Sequence, residues 1–199
     1  MEIRNLTPGG FASNCYLVRE GSDAVLIDCT ADPREVEAAL EGATLHAILL
    51  THGHFDHMLT TARMKAHFDV PILLHGDDAD LPSDGEKNAH ALFFGSDVAY
   101  LDADRSLEDG EQLRFGALTL TVRHTPGHTH GCVMYRARDA LFTGDTIFAA
   151  GYGRTDLYGG NAAVLRATLG ALDTLPEGLR IYPGHGGTAT LKEALNRLF

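Results

Sequence analysis

Short apolar runs, each bounded by glycine, proline or charge, recur along the chain and set its expected elements. Cys15-Tyr16-Leu17-Val18 and Ala24-Val25-Leu26-Ile27-Asp28, separated by Glu20-Gly21-Ser22-Asp23, predict a β-hairpin. Asp32 then offers an N-cap and Pro33 suits a first helical position. Val36, Ala39 and Leu40 share one face and Gly42 ends the run, so a short helix is predicted over 33–41. The nearly unbroken apolar run 45–50 reads as a strand covered on both faces, and it delivers the chain to Thr51-His52. Good helix formers dominate 57–68, where Leu59, Ala62, Met64 and Ala66 make an imperfect apolar stripe. Pro71-Ile72-Leu73-Leu74 predicts the next strand.

Residues 76–98 break this rhythm. Gly76-Asp77-Asp78-Ala79-Asp80 is followed by proline, glycine and polar residues and then by Leu92-Phe93-Phe94, the pattern of a substrate loop. A second strand-rich half follows at 118–125, 132–136 and 140–143, with Arg138-Asp139 at a hairpin turn. Asn161 can cap a helix whose Val164, Leu165, Thr168, Leu169 and Leu172 lie on one face. Residues 179–182 predict a strand, and Leu191, Leu195 and Leu198 mark a final helix. Two runs of strands, each followed by helices, predict an α/β (α+β) chain folded as a four-layer αββα sandwich, with 1–199 as one domain.

Composition agrees with a folded protein: 44% of residues are hydrophobic and 22% charged, with no long polar tract. Sixteen basic against 27 acidic residues leave a net charge of -11, which repels phosphate backbones and anionic lipid, so neither nucleic acid nor membrane is an expected partner. No apolar run approaches a membrane span, and the N-terminus lacks the pattern of a signal peptide. Cys15, Cys29 and Cys132 are odd in number and widely spaced, which suits a reducing compartment, with the cytoplasm as the expectation. Oligomeric state is not legible at this level.

The 11 histidines change the picture, because several cluster with aspartate and glycine. Thr51-His52-Gly53-His54-Phe55-Asp56-His57 falls where an apolar strand ends and a helix is expected to begin. In extended backbone His52 and His54 point to one side and can reach one metal, whereas Asp56 and His57, at the turn, can aim at a second. Three more loops follow predicted strands and pair a ligand-type residue with glycine: Thr125-Pro126-Gly127-His128, Gly144-Asp145-Thr146 and Pro183-Gly184-His185-Gly186.

These motifs resemble the metallo-β-lactamase-fold hydrolases, and in particular the short glyoxalase II-like (hydroxyacylglutathione hydrolase-like) members. The resemblance spans nearly the whole chain. It also includes Asn14-Cys15-Tyr16-Leu17-Val18, the Asp28 strand end, and Gly144-Asp145-Thr146-Ile147-Phe148 followed by Gly153-Arg154-Thr155-Asp156. The resemblance implies the metallo-β-lactamase fold and two divalent metal ions. His52, His54 and His128 would bind the first, Asp56, His57 and His185 the second, and Asp145 would bridge them, with Asp56 and Asp145 catalytic as well as ligating. A nitrogen and oxygen donor set without thiolate suits zinc, the first choice, and also iron or manganese.

The implied activity is hydrolysis of a small-molecule thioester such as S-lactoylglutathione by a metal-activated hydroxide. The chain runs only a short way past His185, so the long helical extension that binds glutathione in full-length glyoxalase II is not expected. The alternatives are a persulfide dioxygenase with a mononuclear iron site, which shares these loops, and a non-catalytic metal-binding module. A β-lactamase fits less well because those enzymes generally lack the bridging aspartate, and a nuclease is opposed by the charge. His46, His67, His75, His90, His124 and His130 are expected outside the ligand set, and Cys29 and Cys132 as small buried residues. Arg154 is expected to lock its loop by pairing with a carboxylate.

Overall fold

Within each apolar run, neighbouring residues face opposite ways, and the two faces are buried against different layers. The computed structural model describes residues 1–7 and 9–198. Its first sheet contains β1 (Glu2–Asn5), β2 (Tyr16–Glu20), β3 (Asp23–Ile27), β4 (Thr44–Leu49), β5 (Ile72–His75) and β6 (Arg105–Leu107), paired in that order. The second contains β7 (Gln112–Phe115), β8 (Leu118–His124), β9 (Val133–Ala137), β10 (Ala140–Gly144), β11 (Arg180–Pro183) and β12 (Ala189–Thr190), also paired in sequence order. Antiparallel hairpins β2–β3 and β9–β10 each hand over to a parallel neighbour, β4 and β11 respectively.

Tyr16, Val18, Val25, Ile27 and Leu49 face Leu120, Val122, Val133, Tyr135 and Phe142, forming the core between the sheets. The alternate residues Leu17, Leu26, Ile48 and Leu50 face outward, onto α1 (Pro33–Leu40) and α2 (Thr61–Phe68). On the far side Met134, Leu141 and Ile181 meet α4 (Ala162–Ala171) and α5 (Leu191–Asn196). Helices, sheet, sheet and helices therefore stack as the αββα sandwich. A fifth helix, α3 (His90–Phe94), lies apart from the three cores.

Local signals set most helix ends. The Asp32 carboxylate accepts the Arg34 N–H ahead of Pro33, the Asn161 side chain accepts the Ala163 and Val164 N–H groups, and Thr190 and Glu193 form a reciprocal capping box. Three expectations are corrected. The helix expected from residue 57 starts at Thr61, and Phe55–His57 is a 3-10 turn. The His57 carbonyl accepts the Cys29 N–H at 2.8 Å, which draws that backbone away from a helical ladder. Val164 is 37% exposed and lies off the buried face of α4. The short strands β1, β6, β7 and β12 escape apolar patterning because they are two to four residues long and carry polar or charged side chains.

Candidate metal centre

All four ligand-bearing loops leave the strands at one rim of the sandwich: after β4, β8, β10 and β11. The seven predicted side chains meet there. Ligand atoms converge in three overlapping groups, His52 with His54 and His128, His52 with His57 and Asp145, and Asp56 with His57 and His185; within each they lie within 4.8 Å of one another. Asp145 stands between the outer groups. Its Oδ1 is 3.3 Å from His57 Nε2, and its Oδ2 is 3.7 Å from both His128 Nε2 and His185 Nε2. Asp56 Oδ2 lies 3.2 Å from His185 Nε2.

Burial makes this convergence costly without a cation. His52 Nε2, His54 Nε2, His57 Nε2 and Asp145 Oδ1 are all buried and have no hydrogen-bond partner among the described residues. An unsatisfied buried polar atom costs roughly 1–3 kcal/mol, so those of His52, His57 and Asp145, which share one group, need a common partner, and His54 joins His128 with its Nδ1 at 2.9 Å from His128 Nε2. Imidazole nitrogens and a carboxylate oxygen are the donors that zinc, iron or manganese accept, and the residues therefore fit a divalent ion.

The opposite edges of the rings are pinned. His57 Nδ1 is 2.8 Å from Asp28 Oδ2, His128 Nδ1 is 2.6 Å from the Arg154 carbonyl, and His52 Nδ1 is 3.1 Å from Thr51 Oγ1. Donation from Nδ1 to an acceptor fixes the tautomer and leaves Nε2 free to ligate. Asp28 also accepts the Thr51 N–H and hydroxyl, so one buried carboxylate orients both the strand end and a ligand. Gly184 permits a close approach: a Cβ there would collide with Asp145 Oδ1 and lie 2.6 Å from His57 Cε1.

Sequence reasoning noticed Asp28 only as a strand end and missed Asp78 altogether. Asp78 is fully buried, and its carboxylate accepts the Gly53 N–H at 3.0 Å, the Thr129 hydroxyl at 2.7 Å and the Gly131 N–H at 2.6 Å. It thus ties the loop of His52 and His54 to the loop of His128. Burial raises its pKa despite those three bonds. Nothing local separates it from its neighbours Asp77 and Asp80, because its partners are remote in sequence.

The remaining histidines lie outside the convergence. His46 pairs with Asp23 at 2.8 Å and His67 with Glu37 at 3.3 Å. His75 and His124 stack at 4.1 Å with Asp77 beside them, a separate group that could itself hold an ion. His90 Nδ1 is 2.9 Å from the Ser96 carbonyl, and its ring packs on Phe94. His90→Ala is accordingly expected to keep full metal content by elemental analysis, and loss of metal would show that the ligand set is drawn wrongly. Arg154 makes a bidentate pair with Asp156, both bonds at 2.7 Å, as expected of a loop lock.

Among the ligand side chains themselves the electrostatics are definite. Burial pushes His52 well below its ordinary 6.5, and burial with repulsion from His128 takes His54 to about 3. For His57 burial acts the same way, but the charges of Asp28, Asp145 and Asp56 outweigh it and hold the ring well above 6.5. Burial would raise Asp145, yet the charges of His57, His128 and His185 keep its pKa far below the usual range.

Below pH 6.5 the unfolded chain protonates His52 and His54 while the folded chain does not. Stability of the metal-free protein then falls as the pH drops below 6.5, with a slope for each ring that approaches about 1.4 kcal/mol per pH unit once the unfolded ring is fully protonated, and for His54 the loss continues toward about 3. His57, held protonated in the folded chain, opposes this fall only near pH 6.5, where the unfolded ring is still partly neutral, and adds no slope further down. The urea midpoint of metal-free protein should drop steadily from pH 6.5 to 5, and a flat profile would contradict this reading.

Comparison with known proteins places these features in a family. Residues 8–185 match the family model described as Metallo-beta-lactamase superfamily. A probable metallo-hydrolase of Bacillus subtilis is 32% identical over 191 residues, covering 94% of this chain and 90% of that protein. A hydroxyacylglutathione hydrolase of Aeromonas hydrophila is 33% identical over 177 residues, covering 85% of this chain and 59% of that enzyme. Among solved structures, the B3 metallo-beta-lactamase BLEG-1 superposes with a TM-score of 0.88 at 31% identity, covering 98% of this chain and 97% of that one. TTHA1623, crystallised in a di-iron-bound form, gives 0.82 at 36% identity, covering 96% of each chain.

Proposed function

This chain belongs to the metallo-beta-lactamase superfamily, and from that membership and the converging site we propose that it is a dinuclear metal-dependent hydrolase cleaving a thioester. The observation that carries the proposal is the group of buried, unpartnered atoms on His52, His57 and Asp145, beside which His54, His128, Asp56 and His185 converge. In this reading His52, His54 and His128 hold one ion, Asp56, His57 and His185 the other, and Asp145 both. Bound divalent ions supply Lewis acidity, lowering the pKa of a water from about 15.7 to about 7 and polarising a carbonyl.

The chain's own residues do the rest. Asp28, Thr51 and the Arg154 carbonyl hold the rings rigidly, so that no reorganisation is needed as charge develops on the carbonyl oxygen. Asp56, whose carboxylate lines the cleft, accepts a hydrogen bond from the attacking water and orients it. Water oxygen bonds to the acyl carbon while its protons pass by way of Asp56 to solvent, the carbon–sulfur bond breaks with its electron pair going to sulfur, and the products are a carboxylate and a thiolate that needs no general acid. No protein nucleophile competes for this step. All three cysteines are buried thiols, and burial pushes Cys15 up to about 11.

The test couples elemental analysis to a substrate panel of S-lactoylglutathione, other thioesters and a β-lactam. Two metal ions per chain and thioester hydrolysis are expected. A single iron with oxygen consumption on glutathione persulfide, or turnover of the β-lactam alone, would replace this reading. So would a metal-loaded protein that hydrolyses nothing, which would leave a binding module.

A further inference from the structure

One side of the cleft above the metal centre is built from aromatic rings. Phe55, inside the His-Gly-His-Phe-Asp-His stretch, is buried and packs 5.5 Å from Phe93 of α3 and 6.0 Å from Phe11, centroid to centroid. Phe11 and Phe93 close a triangle at 6.0 Å yet remain 60% and 44% exposed. Leu157 and Phe148 stand among the other residues lining the same cleft of about 300 Å³, which also contains Asp56, Asp145 and His185. Apolar area left open beside reactive polar groups is the usual composition of a substrate pocket.

Cationic groups are scarce in this cleft. Arg154 is the only lysine or arginine among its described lining residues. Its guanidinium is already held by both oxygens of Asp156 and lies 6.0 Å over the Phe93 ring. A tripeptide thiol such as glutathione carries two carboxylates remote from its sulfur, and they would need cationic partners that this wall does not offer. An aryl or alkyl group, by contrast, would cover Phe11 and Phe93 and remove their exposed faces from water.

From the rings and the engaged arginine together, we infer that the cleft selects a thioester bearing an apolar aryl or alkyl substituent next to the scissile carbonyl, in preference to a glutathione conjugate. The inference rests on the hydrolytic reading above and names the substrate class of that site. Phe11 and Phe93 are the specificity-determining residues. Each methylene of substrate laid against them should raise kcat/KM about fourfold, the factor that follows from burying one such group.

The experiment uses metal-loaded protein and pairs of thioesters: acetyl against phenylacetyl on a common thiol, and glutathione against benzyl mercaptan on a common acyl group. The first pair reports the acyl side and the second the thiol side. The first pair should favour phenylacetyl by tenfold or more, the second should not favour glutathione, and an acetyl thioester cleaved as well as phenylacetyl overturns the inference. Phe93→Ala and Phe11→Ala should bring that ratio near one, while Phe93→Leu should retain most of it. Both side chains are exposed, so these variants are expected to fold.

Calorimetric binding of phenylacetate against acetate supplies a readout that needs no turnover. A tenfold preference that collapses in Phe93→Ala supports the pocket even if no thioester is cleaved, in which case only the hydrolytic reading fails. Thioester turnover with S-lactoylglutathione preferred, or with ratios unmoved by either alanine, overturns the inference and leaves the hydrolytic reading standing.

Discussion

Asp145→Ala is expected to lose bound metal and hydrolytic activity together. The carboxylate stands 3.3 Å from His57 and 3.7 Å from both His128 and His185, so in the proposed assignment it belongs to both ions at once. Removing a hydrogen-bond partner one step beyond the ligands typically weakens a metal site about 10- to 100-fold, and removing a shared ligand should exceed that range. Asp145→Asn retains shape and most packing but discards the charge, and should fall in the same class. Elemental analysis after dialysis and turnover of a thioester are the two measurements. A thermal melt of the metal-free variant shows that the fold survives. Full occupancy with full turnover in either variant would remove Asp145 from its bridging position.

Asp28→Ala should be the most destabilising single substitution near the site. The carboxylate is buried, accepts the Thr51 N–H at 2.8 Å, and lies 2.8 Å from His57 Nδ1. Its removal strands a buried backbone N–H and a ring nitrogen. In the metal-free protein it also removes the first-ranked of the charges that hold His57 protonated. Breaking a buried charged pair from one side costs about 3–5 kcal/mol. For a domain of this size each kcal/mol lowers Tm by about 2–4 °C, so a drop of roughly 6–20 °C is expected. Metal affinity should fall as well, because His57 loses the bond that fixes its tautomer. A Tm within 2 °C of the parent would mean that the carboxylate does not carry this load.

The seven candidate side chains were legible because their signals are local. His52, His54, Asp56 and His57 fall in one stretch at a strand end, and His128, Asp145 and His185 each sit beside a glycine after a strand. The layered architecture was legible for a similar reason, since Leu26, Ile27, Leu49 and Leu50 lie in runs too apolar for a strand with a wet face. What holds the ligands was not legible. Asp28 and Asp78 act through partners 23 to 53 residues away, and a carboxylate in a list of acids gives no sign that it will be buried. The start of α2 was misplaced for the same reason: the Cys29 N–H that captures the His57 carbonyl is distant in sequence. Phe11 and Phe93 carried no periodic signal, because they line a cleft and not a core.

Asp78 opens the stretch whose order was hardest to foresee, and yet it is bolted to both histidine loops by three hydrogen bonds. The segment that follows it, through α3 and its phenylalanines, is tied to the first of these loops a second time, where the Asn88 carbonyl accepts the Phe55 N–H. An engineer seeking new substrates has room at the exposed positions 92–96, but not at Asn88, which is buried and whose carbonyl accepts the Phe55 N–H between two of the ligands. That freedom ends at Asn88, and between it and Asp78 the buried Leu81 lies against Gly53 of the ligand loop.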